Sequence, residues 1–239
     1  MQSLNTFHVP IAGFEPTTLI DYPNELASII FTGGCNFHCG YCHNPNLIKA
    51  PKNWPTGLEM LNKLSNRRKW INSIVITGGE PLVHHETLDL IHLLVENGFK
   101  IKLDTNGAFP ERLHYLLEKG LLNYVAMDLK TSLGRYHELA YKGIESKIQR
   151  SIDLLLTDFN VQYEFRTTLC PIFVSLDELK DMAILIEGQK WIWQQFNTKI
   201  TLDPLYQKIK PYSDEIILSF RNEINPKFSG KIEIRGISF

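Results

Sequence analysis

An α/β fold is the architecture this chain predicts: a partial (β/α)6 TIM-like barrel of parallel strands, open on one side. Three observations lead there. Short β-branched, apolar runs that end in small or polar residues alternate with stretches of helical spacing, and such alternation argues for a parallel sheet covered by helices. The runs recur every roughly 25–45 residues, the span of a βα unit with its loops. The chain has 239 residues, whereas a closed eight-unit barrel typically takes about 250. A doubly wound open sheet is the alternative.

The runs are, in order, "LASIIFTGG", "SIVITGGEP", "KIKLDTNG", "YVAMDLK", "VQYEFRTT", "WIWQQF" and "KIEIRG". Between them Leu88, Ile91 and Val95 share a helical face, as do Leu113, Leu116 and Leu117, and Ile148, Ile152 and Leu155. "KAPKNWPTG", Lys49 to Gly57, is rich in Pro, Lys and Gly and reads as a surface loop. No internal repeat or low-complexity segment stands out. The chain therefore reads as a single domain over 1–239, with a lead-in at 1–26, a barrel core at about 27–200 and a C-terminal extension at about 201–239. Parallel strands point their C-terminal ends the same way, so Cys35, Glu80, Asp104, Asp128 and Arg166, each at or just past the end of a run, converge on one mouth.

Bulk properties exclude several classes. The chain is 44% hydrophobic with a formal net charge of -1, and no basic tract tracks a phosphate backbone, so nucleic acid is not an expected partner. The start, "MQSLNTFHVPIAGFEP", lacks a basic n-region and an apolar h-region. Apolar runs such as "LASIIF" are too short to cross a bilayer, so no membrane association is expected. These features place the protein in the cytoplasm, where thiols stay reduced.

Three of the four cysteines, Cys35, Cys39 and Cys42, fall in "FTGGCNFHCGYCHNP" directly after the first strong run. Ordinary free cysteines are usually buried as small hydrophobes, but Asn36, His38, Gly40 and Asn44 make this segment polar. Zinc would need a fourth ligand from His38 or His43, and structural zinc sites usually bring two ligand pairs from separate elements. A 4Fe–4S cube held by three thiolates leaves one iron open for a substrate or cofactor.

Here the sequence resembles the radical S-adenosylmethionine (SAM) superfamily, whose motif is this Cys-x3-Cys-x2-Cys spacing with an aromatic residue, Tyr41, before the last Cys. The resemblance implies a 4Fe–4S cluster on Cys35, Cys39 and Cys42. SAM would chelate the open iron and be cleaved reductively to methionine and a 5′-deoxyadenosyl radical. Tyr41 is then a cofactor-binding residue. "ITGGEP" resembles the family's second motif. Gly78 and Gly79 would allow close backbone approach to a ligand, and Glu80 would accept from the SAM amine.

"LDTNG" and "MDLK" resemble the activases of glycyl-radical enzymes. That likeness implies a monovalent-cation site from Asp104, Thr105 and Asp128 beside the SAM carboxylate, offsetting carboxylate repulsion. Asp104, Asp128 and Lys130 are the expected catalytic residues, holding cofactor or cation rather than moving protons, because hydrogen abstraction by a carbon radical needs no protein base. Lys130 would approach the cofactor or an incoming peptide, and Arg166 in "EFRTT" would contact SAM. Gln194 and Gln195 in "WQQF" receive no role, and Cys170 reads as structural. His43 is a candidate for the cluster's surroundings.

"GFEPTTLIDYP", Gly13 to Pro23, resembles the activating proteins of anaerobic ribonucleoside-triphosphate reductase in their short form. Asn24 stands where that branch usually has Gly; if the turn needs φ > 0, Asn tolerates it better than most residues. The expected partners are thus a glycyl-radical enzyme, here anaerobic ribonucleotide reductase, and a flavodoxin- or ferredoxin-type electron donor. The barrel would be open along one side to admit a peptide loop, with Asp21 lining the entrance. A radical SAM enzyme acting on a small molecule or peptide, and a non-catalytic metal-binding module, are the alternatives. SAM cleavage stimulated by a small molecule would mark the first, and failure to bind a cluster or cleave SAM the second.

Overall fold

In the computed structural model, which describes residues 8–157, 159–228 and 230–236, eight strands form one sheet in chain order. They are β1 (Ile11–Thr18), β2 (Ala27–Thr32), β3 (Ser73–Gly78), β4 (Lys100–Thr105), β5 (Tyr124–Asp128), β6 (Gln162–Thr168), β7 (Trp191–Gln194) and β8 (Ile232–Arg235). From β2 to β8 every neighbouring pair is parallel. β1 runs antiparallel to β2, and among the described residues β1 and β8 do not pair, so the barrel is unclosed.

Helices α1 (Gly57–Ser65), α2 (Glu86–Glu96), α3 (Pro110–Glu118), α4 (Ile144–Leu156), α5 (Leu176–Leu185) and α6 (Asp214–Ile224) each follow one of the strands β2 to β7. The expected (β/α)6 unit is therefore present, framed by β1 before it and β8 after it. α6 and β8 come from the segment expected as an extension, which thus supplies elements of the sheet and its helical layer. β1 carries little strand pattern because Gly13 and Pro16 interrupt it and its register shifts twice. Pro lacks the ladder N–H and is tolerated at a sheet edge, the place β1 occupies. Residues 1–7 and 237–239 lie outside the described residues.

Side chains alternate across each strand, and the two faces meet different neighbours. Ile30, Ile74, Ile76, Ile101, Leu103, Val125, Met127, Phe165 and Trp191 belong to the large core beneath the helices. The helices present matching faces: Leu113, Leu116 and Leu117 of α3 are buried, as are Ile148, Ile152 and Leu155 of α4 and Leu88 and Ile91 of α2, with Val95 half-buried. The opposite strand faces form a small second cluster, Ala27, Ile29, Val75 and Tyr124 with Tyr22. This cluster plugs the barrel toward its N-terminal end, so the open volume lies at the C-terminal strand ends. Among the described residues no helix is long and apolar enough to cross a membrane.

The turn into β2 puts Asn24 at φ +61°. Left-handed backbone costs an ordinary L-residue about 1–2 kcal/mol. Asn24→Val should lose stability of that order in urea denaturation, while Asn24→Gly should stay within about 0.5 kcal/mol of the wild type.

Candidate active site

The cysteine loop leaves β2 and is pinned by four backbone bonds to three separate segments. Gly34 N–H donates to Leu47 O (2.8 Å), Cys35 N–H to Ile48 O (3.1 Å), His38 N–H to Leu139 O (3.1 Å), and Asp203 N–H to Gly40 O (3.0 Å). Phe37 and Tyr41 are buried in the core between the cysteines. Phe37 meets Tyr136 edge-on, and Tyr41 sits among Phe173, Phe196 and Tyr206. With these two rings as anchors, Cys35, Cys39 and Cys42 all line one cavity of about 290 Å³. All three are free thiols. Burial pushes the Cys35 thiol up to about 12 and raises Cys39 as well.

The remaining strand ends complete the same cavity. Gly78, Gly79 and Glu80 follow β3; Asp104 and Thr105 end β4; Asp128 ends β5 with Lys130 just beyond; Arg166 comes from β6. Asp21, His43 and Gln194 also line it, whereas Gln195 turns away and donates from Nε2 to Tyr212 O (2.7 Å). Cys170 is fully buried in the core and lies outside the cavity lining.

Inside the barrel the charged residues stand in a file of alternating sign. Lys102 Nζ donates to Asp104 Oδ1. Arg166 Nη1 donates to Asp104 Oδ2 and Arg166 Nε to Asp128 Oδ1, both at 2.9 Å. Lys130 Nζ meets Asp128 Oδ2 at 3.3 Å. Arg166 registers beside Asp128, and the guanidinium reaches Asp104 across β5, where small Ala126 stands in register with Asp104. Burial alone would raise Asp104 and Asp128, but Arg166 with Lys102 and with Lys130 outweighs it and holds both carboxyls low. Burial would likewise lower Arg166 and Lys130, but Asp104 and Asp128 together overcome it for Arg166, and Asp128 with the nearby Tyr41 and Cys39 overcomes it for Lys130, so both are raised.

Glu80 lines the cavity and is also held by donors of the chain itself. Its carboxylate accepts from Leu82 N–H (3.1 Å), Thr105 Oγ1 (2.8 Å) and Asn106 N–H (2.7 Å). It clasps the β3 and β4 loops together, and Asn106 Nδ2 extends the tie to Asn36 Oδ1 of the cysteine loop (3.0 Å). An ionised carboxylate has about four acceptor sites, which leaves one for an ammonium. Thr105, expected beside a cation, is engaged by Glu80. Burial pushes the Glu80 carboxyl up to about 7 even against these three donors. The close approach that Gly78 and Gly79 permit is to the chain's own backbone: a Cβ on Gly79 would lie 2.1 Å from Gly34 O, and one on Gly78 2.3 Å from Thr32 O.

The sequence profile of the Radical SAM superfamily matches residues 29–186. The chain belongs to the radical SAM superfamily. Within it the chain is a glycyl-radical-enzyme activating enzyme by family. It is 32% identical over 235 residues, 95% of this chain and 96% of the other, to a Methanocaldococcus jannaschii protein assigned as a glycyl-radical enzyme activating enzyme. The pyruvate formate-lyase-activating enzyme of Clostridium pasteurianum is 27% identical over 188 residues, covering 74% of this chain and 76% of that one. Among solved structures, SuiB of Streptococcus suis bound to precursor peptide SuiA superposes with a TM-score of 0.64 at 15% identity, over 89% of this chain and 50% of that one. That likeness concerns the fold.

A radical SAM enzyme of this type carries a 4Fe–4S cluster and SAM, and has a glycyl-radical enzyme as partner. The donor set fits the cluster. Among the described residues no three of the His, Cys, Asp and Glu side chains gather closely enough to hold one ion. Three thiolates that each bind a different iron of a cube need no such shell. The carboxylate repulsion that a monovalent cation was expected to offset is met by Lys102, Arg166 and Lys130.

Sequence reading missed Lys102, Asn106 and the cover that Tyr206 puts over Gly40, where a Cβ would meet the tyrosine ring at 2.1 Å. Lys102 could have been found from parity, since it lies two residues before Asp104 and shares its strand face.

Arg166→Met would take the shared partner from the mostly buried Asp104 and the partly exposed Asp128, each of which keeps one lysine, and should cost about 3 kcal/mol, the low end for breaking a buried pair, in urea denaturation of the metal-free protein.

The pH dependence has two opposite parts. Asp104 and Asp128 are lowered on folding, so their contribution is complete above the unfolded carboxyl value of about 4 and is lost as pH falls through the lower folded value. Glu80 is raised, so its contribution is full below the unfolded value of about 4.3 and is lost as pH climbs to about 7. The unfolding free energy of Glu80→Gln should lack this decline, as measured by urea titrations from pH 4.5 to 7.5.

Proposed function

We propose that this enzyme activates anaerobic ribonucleoside-triphosphate reductase, taking one hydrogen atom from the Cα of a single glycine, in the cytoplasm and with a flavodoxin- or ferredoxin-type electron donor. The observation that carries this reading is the placement of Asp21. It sits in the "LIDYP" segment that resembles that branch, and it lines the same cavity as the three thiols. The unclosed sheet supports access for a peptide loop from the side.

Cys35, Cys39 and Cys42 would hold the cluster, with Tyr41 packed behind the last two. When bound, the cluster and SAM together supply a carbon-centred radical after one electron is delivered. The chain's own residues do the rest. The charge file of three cations against two carboxylates presents Arg166 and Lys130 toward the cavity and would receive the carboxylate of SAM. Glu80 would accept from its ammonium with the acceptor site left over. Gly78 and Gly79, by letting the β3 loop lie against the cysteine loop, keep that end of the cavity narrow. Asp104, Asp128 and Lys130 orient and exchange no proton.

Under anaerobic reconstitution, reductant and SAM should give a glycyl doublet in electron paramagnetic resonance on the reductase. A doublet on another glycyl-radical enzyme and none on the reductase would overturn the partner assignment. Replacing Cys35, Cys39 or Cys42 singly by Ala should abolish the cluster absorbance, and Cys170→Ala should retain it. Asp104→Asn should weaken SAM binding by about 1.5–3 kcal/mol through a misdirected file, measured by equilibrium dialysis. Unchanged affinity there would remove the file from the SAM site.

A further inference from the structure

In the cavity wall Glu80, Asp104, Asp128 and Arg166 are already bound to groups of the chain itself. A row of polar side chains that leads from the cavity to the open border is not. Thr168 of β6 stands in register with Gln194 of β7, and Gln194 with Arg235 of β8. Partners in register share a face of the sheet, and Thr168 and Gln194 both line the cavity. Among the described residues neither the Thr168 hydroxyl nor the Gln194 amide has a hydrogen-bond partner, whereas their sequence neighbours do. Thr167 Oγ1 donates to Leu129 O (2.7 Å), and Gln195 Nε2 to Tyr212 O (2.7 Å). Arg235 is 43% exposed, and its Nη2 stands 3.8 Å from Glu164 Oε2, too far for a hydrogen bond. Glu164 is already served by the Tyr124 hydroxyl (2.8 Å) and Lys190 Nζ (3.1 Å), and Glu233, two residues before Arg235, by Lys231 Nζ (2.8 Å). The row thus offers a hydroxyl, an amide and a guanidinium with donors and acceptors to spare.

We propose that Thr168, Gln194 and Arg235 hold the main chain of the partner's glycine-bearing loop. The proposal rests on the activase reading and adds which side chains position the substrate. Glycine has no side chain, so a loop presents its Cα only through backbone N–H and C=O groups. A carboxamide has both a donor and an acceptor, the complement of a peptide amide; a hydroxyl supplies either, and a guanidinium donates to carbonyls. Neighbouring strands lie about 4.8 Å apart, and an extended chain advances about 3.3–3.6 Å per residue. A row across three strands therefore spans about three residues, the glycine and one neighbour on each side. Its inner end, Thr168, lies two residues beyond Arg166 on the same strand face, and its outer end lies on the border where the sheet does not close. A small cofactor enclosed in the cavity would leave Arg235 unused, because Arg235 lies outside the cavity lining. A chain that comes in from the border meets all three side chains.

The test uses the reconstituted enzyme, the anaerobic reductase and a synthetic peptide that spans the reductase's glycine. Gln194→Leu and Arg235→Met should each raise the KM for the reductase by about fivefold to tenfold, read from initial rates of glycyl-radical formation by electron paramagnetic resonance. The amount of 5′-deoxyadenosine released per glycyl radical should rise as well, because a loosely held glycine is missed more often. Cluster absorbance and the SAM Kd should stay within about twofold of the wild type, which also shows that the variants are folded and loaded. The peptide should compete with the reductase. A peptide N-methylated beside the glycine, which lacks one main-chain donor, should compete about fivefold less well against the wild type, and no less well than the plain peptide against Gln194→Leu. An unchanged KM and release ratio in both variants would overturn the proposal, as would an equal loss from N-methylation in the wild type and Gln194→Leu. A SAM Kd that rises with the reductase KM would overturn it in favour of a contact to SAM itself. A wild-type enzyme that cleaves SAM but forms no radical on the reductase would instead overturn the functional reading, and this proposal with it.

Discussion

A guanidinium held between two carboxylates inside the barrel is the constraint on which the rest of the cavity depends. Arg166 reaches both Asp104 and Asp128 because β4, β5 and β6 run parallel in one register and Ala126 leaves room to cross the middle strand. Buried ion pairs seldom stabilise a fold relative to apolar side chains of similar volume. This network therefore costs more than a greasy interior would, and its value lies in what it fixes. It sets the orientation of two acids that would otherwise repel, and it leaves one unit of positive charge in the file for an anionic ligand.

Above that file the loops are tied to each other more than to their own strands. Glu80 binds the β3 and β4 loops, Asn106 reaches the cysteine loop, and the segment beyond β7 reaches Gly40. Loops that carry function are generally mobile relative to their scaffold. Here hydrogen bonds between successive strand ends restrict that freedom, so the thiols sit in a frame whose parts move together. The small apolar cluster below the charges completes the picture by excluding water from the opposite end of the barrel.

The strands were legible because their β-branched runs are long and end abruptly, and the convergence of their last residues followed from parallel direction alone. β1 was not legible because Gly13 and Pro16 erase its pattern; it exists through its pairing with β2. The site residues could be gathered in one place from sequence, but their contacts could not. Whether Glu80 offers its oxygens to a ligand or to Thr105 and Asn106 depends on how two loops from different units approach. Gly78 and Gly79 announce a close approach without saying what approaches. Tyr206 lies more than 160 residues from Gly40, and no local pattern links them.

An unclosed barrel leaves two raw sheet borders, and the chain treats them differently. β1 carries Pro16 and two register shifts, which remove a donor and break the straight line another strand would need. β8 is four residues long and bears Glu233, paired with Lys231, and the half-exposed Arg235. Both borders are thereby poor templates for a second copy of the chain. The sheet can thus stay unclosed without inviting the protein to polymerise through its borders.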